Sequence, residues 1–252
     1  MSIIARYQIY EKLHEKSFYI LTALGMAFLV VIASGAASLS INGEAVTGFR
    51  TMFPILHTLA NALACMFAAL ISSTTIPNEY ERQSSHLVWS RRISQPVYHG
   101  GLTLANFAVA ALHALAMTLV LVVYVLRNGE GAHVGMMLPI FLLLLLNVAA
   151  VVVLTSAMSI LVPSTVALVF GMLLSLFGMG HTMLEMYART IGGFSSTLIR
   201  GLLMIVPNFY GVAAQARTIM AGEAASPHVI IATFTFLYLA AFLLYVFRKK
   251  EA

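Results

Sequence analysis

Charge is the first thing this sequence is short of. Only 9% of its 252 residues are Asp, Glu, Lys or Arg, against about 25% in an ordinary soluble domain. So few charges cannot cover a water-soluble globule of this size, and 60% of the residues are apolar. The outer solvent therefore reads as lipid. Cysteine is nearly missing too. Cys65 stands alone in an apolar stretch, which excludes an intrachain disulfide and leaves the redox compartment unread. No Gly-x-x-x-x-Gly-Lys-[Ser/Thr] loop occurs, so this chain does not hydrolyse nucleotide by that device. His-Glu-x-x-His, Gly-x-Ser-x-Gly and Cys-x-x-Cys are absent as well. The 14 Lys and Arg are scattered except at 248–250, a pattern that suits membrane orientation rather than nucleic-acid binding.

What the chain does have is long apolar runs, at 17–37, 52–74, 104–126, 136–161, 166–184 and 229–247. About 20 apolar residues cross the hydrocarbon core as a helix, whereas barrel strands alternate over about 10. The expected fold class is all-α, a single transmembrane domain over residues 1–252 with six spans. The first run is too long for a signal-peptide core and follows a polar lead, so it reads as a retained span. Cation counting sets the orientation. With the N-terminus inside, the inner segments hold Arg6, Lys12, Lys16, Arg82, Arg91, Arg92, Arg248, Lys249 and Lys250, and the outer ones Arg50, Arg127, Arg189, Arg200 and Arg217. Both termini are thus expected in the cytoplasm.

Carboxylates and cations are missing from the interior of every span, which argues against ion-coupled transport and against general acid–base catalysis in the membrane. The polar residues that remain are His57, Asn61, Asn106, His113 and Asn147, with His181 and Glu185 at an outer edge. Interhelical hydrogen bonding is their default role. His57 and His113 invite a haem reading, but at 1.5 Å per residue their depths differ by roughly 8 Å. His181 and Glu185 lie one helical turn apart, too few ligands for a metal site. Gly171, Ser175 and Gly178 form a small-residue strip for close helix approach, within the chain or between copies.

Three stretches lie outside the spans. Residues 1–16 place Ile3, Tyr7, Tyr10 and His14 on one stripe, which suits an interfacial helix. Residues 77–96 are the most polar part of the chain. A helix is expected to start after Pro77, with Asn78 as cap, Glu79 and Glu81 in its first turn, and Arg91 and Arg92 near its end before Pro96. Residues 185–228 are hydrophobic for a loop, yet the pieces 191–194 and 198–207 are too short to cross, so re-entrant helices in the outer leaflet are expected.

This order of elements resembles the permease subunits of type-2 ATP-binding-cassette (ABC) exporters. The local match is Glu79-Tyr80-Glu81-Arg82 followed by Leu87-Val88-Trp89-Ser90-Arg91-Arg92-Ile93-Ser94-Gln95-Pro96-Val97-Tyr98. It is similar to the family's acidic–basic cluster and its Leu-Leu-x-Ser-Arg-Pro-Val-Ser-Arg-like segment. Arg92 stands where the family has proline, Gln95 where it has arginine, and Ser84-Ser85 where Gly-Thr is common. The resemblance implies a homodimer in the inner membrane that binds two copies of an ATP-binding subunit. ATP and Mg would be held by that partner, with no cofactor and no catalytic residue in this chain. Glu79, Glu81, Arg82, Leu87, Trp89, Arg91 and Arg92 would form the ATPase-coupling contact, with Trp89 as anchor. His57, Asn61, His181 and Glu185 are the candidate substrate-path residues. The rival readings are a membrane-embedded redox or metal-enzyme subunit using His57 and His113, and a membrane anchor for a partner protein.

Overall fold

A computed structural model describes residues 2–35, 40–41, 44–45, 48–81 and 93–247. Among them the chain is helical, apart from a two-residue antiparallel ladder of Ser40–Ile41 with Glu44–Ala45 and a 3-10 turn at Gly131–Met136. The helices are α1 (Ser2–His14), α2 (Lys16–Ala33), α3 (Phe49–Glu81), α4 (Gln95–Arg127), α5 (Met137–Leu161), α6 (Ser164–Met179), α7 (His181–Ile191), α8 (Gly193–Ile205), α9 (Phe209–Met220) and α10 (Pro227–Val246). Five are long and apolar enough to cross a membrane: α2, α3, α4, α5 with its 3-10 lead, and α10. The pairs α6–α7 and α8–α9 each bend by 70°, so the number rises to seven if each bent pair counts as one span.

α3 is the hub, packed against α4, α5 and α6, while α10 leans on α5 and α1 on α4. One buried apolar cluster joins Ala64, Phe67 and Ala68 to Val109, Leu144, Val148, Leu174 and Phe209. A second, at the Phe49 end, joins Leu29, Phe53 and Leu56 to Met117, Leu121 and Ile140. In the most apolar stretches of α3, α4 and α5, 56% of residues are buried, against 17% in α2 and α10. The two outer helices therefore turn most of their apolar surface away from the chain, as lipid-facing or subunit-facing helices do.

Several boundaries depart from the sequence expectation. Pro77 was expected to open a new helix, yet it lies inside α3, which continues to Glu81. An interior proline costs an exposed helix about 3 kcal/mol. Here Ile76 and Pro77 are buried, and Ile76 packs with Tyr98, Leu102, Ala157 and Ile160; that packing offsets the lost hydrogen bond. Asn78 is then no cap, and Glu79 and Glu81 continue a helix already under way instead of opening one. Pro96 does not stop a helix but sits at the start of α4, where its missing N–H is no loss. The first span ends at Ala33, short of 37. The fifth breaks at Gly180 instead of running to 184. Of the 77–96 segment, residues 82–92 lie outside the described residues.

The stripe on α1 faces away from the bundle, with Ile3, Tyr7 and Tyr10 exposed, while Ala5, Gln8 and Lys12 are buried. The Lys12 ammonium pairs with Glu15 at 2.9 Å. The bent outer segment folds because glycine permits it. Gly192 and Gly193 both take left-handed backbone (φ 60° and 64°), which L side chains resist, and this reverses the chain between α7 and α8. The small-residue strip on α6 serves the chain itself. A Cβ at Gly171 would come within 2.6 Å of the Thr155 hydroxyl, and one at Gly178 would overlap the Phe209 ring and lie 2.9 Å from the Pro207 carbonyl. By contrast, nothing lies within 4 Å of a Cβ at Gly201 on α8. Gly178→Ala is expected to destabilise by about 1–3 kcal/mol through overpacking. Gly201→Ala is expected to be neutral or stabilising through helix propensity. Thermal unfolding of both variants in detergent checks the contrast.

Candidate functional site

α3 and α4 are each 33 residues long, about 50 Å at 1.5 Å per residue, against a hydrocarbon core of about 30 Å. Residues 75–81 and 95–103 carry both helices past their apolar stretches at the same end of the bundle. There they are fastened to each other. The Tyr98 hydroxyl donates to the Glu79 carboxylate at 2.5 Å, and the Tyr80 hydroxyl lies 2.9 Å from His99 Nε2. Tyr98 and His99 are almost fully buried. Tyr98 precedes the apolar stretch of α4, and its phenol is held above the usual range, first by burial and then by the hydrogen bond and charge of Glu79. A buried hydrogen bond to a charged group is worth about 1.5–3 kcal/mol. The result is a stiff two-helix stalk, its helices joined in sequence through residues 82–92, which lie outside the described residues.

Deeper in the bundle lies a polar centre. Asn147 Nδ2 donates to Asn61 Oδ1 at 3.3 Å and to the Phe209 carbonyl at 2.9 Å. The Cys65 thiol donates to Asn61 Oδ1 at 3.5 Å. Phe209 opens α9, where Asn208 caps the helix by accepting from the Gly211 amide at 2.7 Å. The tight turn between α8 and α9 is thus anchored to α3 and α5. One further level toward the stalk, the Thr75 hydroxyl donates to Asn106 Oδ1 at 2.9 Å. The His113 ring stacks on Phe67 with centroids 4.2 Å apart, and its Nδ1 lies 2.9 Å from the Thr22 hydroxyl.

No family model and no curated protein matches this chain.

The candidate residues fall into separate groups. Glu79 is half-buried and engaged by Tyr98, and Glu81 is exposed at the end of α3. Arg82, Leu87, Trp89, Arg91 and Arg92 lie outside the described residues. His57 and Asn61 sit one turn apart on α3, both buried. His57 lies alongside Phe53 and the backbone of Ala213, and neither ring nitrogen reaches hydrogen-bond geometry. His181 Nε2 lies 3.3 Å from the Leu203 carbonyl. Glu185 pairs with Arg189 at 2.5 Å, and that hydrogen bond, followed by the Arg189 charge, lowers its pKa below the usual carboxylate range. No hydrogen bond, ion pair or ring contact joins His57 or Asn61 to His181 or Glu185. The two pairs are held by different partners, Asn61 by Asn147 and Cys65 and Glu185 by Arg189.

The residues that sequence reasoning passed over are Tyr80, Tyr98 and His99. Their signal was there, as an acid–phenol pair before the polar segment and a phenol–imidazole pair after it. Asn147 was noted only as a buried polar group, and its role needs the fold. Asn147→Leu would strip the Phe209 carbonyl and Asn61 of their donor, and a loss of about 1–2 kcal/mol is expected. Thermal unfolding of Asn147→Leu beside the isolated-site control Leu142→Ala, an exposed residue of α5, checks this.

Proposed function

We propose that this chain is the membrane-spanning subunit of an ATP-driven exporter of the type-2 ABC kind, with six crossings, both ends in the cytosol and ATP hydrolysis on a separate subunit. The observation that carries it is the stalk. Two helices overshoot the membrane at one end, are locked together by Glu79–Tyr98 and Tyr80–His99, and hold between them the most polar segment of an otherwise apolar chain. A solvated loop that only enforced topology would need no buried clamp at its base. The clamp suits a lever. A push on 82–92 passes into α3 and α4 as a unit, and α3 carries it to the polar centre at Asn61.

In this reading α1 lies in the cytoplasmic interface, with Ile3, Tyr7 and Tyr10 toward lipid, and the bent pairs α6–α7 and α8–α9 contribute one crossing followed by re-entrant helices. Two copies assemble with two ATPase subunits, and charge pairs at Glu81, Arg82, Arg91 and Arg92 set partner choice and register. ATP and Mg stay on the partner. The cargo path then follows from rigid-body rearrangement of the spans. The absence of carboxylates and cations from the interior of the six apolar runs favours an apolar or bulky cargo over a coupled ion.

Co-purification with an ATPase encoded nearby is the direct test. Glu81→Arg combined with Arg91→Glu is expected to disrupt the complex or abolish stimulated ATPase activity, and unchanged complex and activity would contradict the coupling role. Tyr98→Phe, which removes the donor to Glu79 while keeping the ring, is expected to leave the complex intact. It should cut ATPase stimulation roughly tenfold, the scale of a 1–3 kcal/mol coupling.

A further inference from the structure

At the opposite end of the bundle from the stalk, the start of α3, the α4–α5 connection and the end of α9 enclose a cavity of about 670 Å³. Its walls divide by chemistry. Phe49 and Phe53 supply an aromatic side, while Arg50 and Arg217 bring cations from two different helices. Neither arginine has an ion-pair partner among the described residues. The cavity's one carboxylate, Glu130, lies 3.2 Å from His133 Nδ1. Two guanidiniums against one carboxylate leave the described lining cationic on balance.

One further feature points the same way. Arg50 lies in the first turn of a 33-residue helix, whose opening amides have no acceptor within the helix and favour an anion. Two guanidinium groups lining one cavity from two helices suit an oxyanion with several acceptor oxygens.

We propose that this cavity binds a phosphoryl group, with Arg50 and Arg217 as its cationic ligands and the Phe49–Phe53 wall receiving the apolar part of the molecule that carries it. The phosphoryl group belongs to a membrane lipid or to a free phosphate compound. This site does not depend on the transport reading; it needs only the fold.

The test uses the purified full chain in a phosphate-free maltoside detergent, titrated with fluorescent phosphatidylglycerol and separately with inorganic phosphate by calorimetry. Arg50→Gln with Arg217→Gln is expected to weaken binding about tenfold or more, as for loss of a charge-assisted hydrogen bond. Arg50→Lys with Arg217→Lys keeps both charges and loses the fork, so its binding should fall between that of the unsubstituted protein and that of the glutamine variant, which shows that the fold survives change at these positions. Arg127→Gln, outside the cavity, should change nothing. Saturable binding of the lipid alone identifies a headgroup site, and binding of phosphate, with displacement of the lipid, identifies a site for free phosphoryl compounds. Equal affinity in the glutamine variant, or no saturable binding of either probe, would overturn the proposal.

Discussion

In hydrocarbon, a carbonyl that leaves a helical ladder must find its donor inside the protein, since no water is there to supply one. Asn147 is that donor for Phe209, and much of the bundle's unusual half depends on the contact. It allows the chain to stop one helix at Ile205, turn at Pro207 and start another at Phe209 while staying against the core. The same amide reaches Asn61 on α3, so the turn is tied to the hub helix and not merely packed on it. Gly178 completes the arrangement by leaving room for the Phe209 ring. A side chain there would push the turn off its donor.

The same constraint explains where polar groups lie. Asn61, Asn106, Asn147, His57 and His113 all point into the bundle and are buried, while the outward faces of α2 and α10 are apolar. Packing is densest around α3 and thins toward α2 and α10. A bundle built this way has a rigid middle, α3 with α4 and α5, and outer helices that are held less tightly. Force applied at the stalk would be carried by the rigid middle. The cavity with Arg50 and Arg217 sits at the far end of that same helix α3, so the two ends of the molecule share one continuous element.

The apolar runs were readable from composition because a span needs length and hydrophobicity and little else: the helices at 136–161 and 229–247 sit within a few residues of their runs, whereas those at 52–74 and 104–126 reach to Glu81 and back to Gln95, beyond theirs. Proline was the misleading signal. Local chemistry says Pro77 begins a helix, but burial of Ile76 and Pro77 against α4 and α5 outweighs it. Gly180 went unread for the opposite reason, since nothing in an apolar run marks a 70° bend until the neighbouring helices are in place. The pairing of Glu79 with Tyr98 was hidden because it joins residues on either side of the polar segment. Of the candidate coupling residues, Glu79 gained a partner and a geometry, and of the substrate-path residues Asn61 gained partners in Asn147 and Cys65.

The transport reading rests on the side of the membrane that the 82–92 segment occupies. The measurement is labelling of Ser85→Cys with a membrane-impermeant maleimide in intact cells and again after permeabilisation. Native Cys65 is fully buried and contributes little background. Labelling only after permeabilisation is the expected result. Labelling of intact cells would put the segment outside, where no ATPase could grip it, and would contradict the lever at the base of α3 and α4.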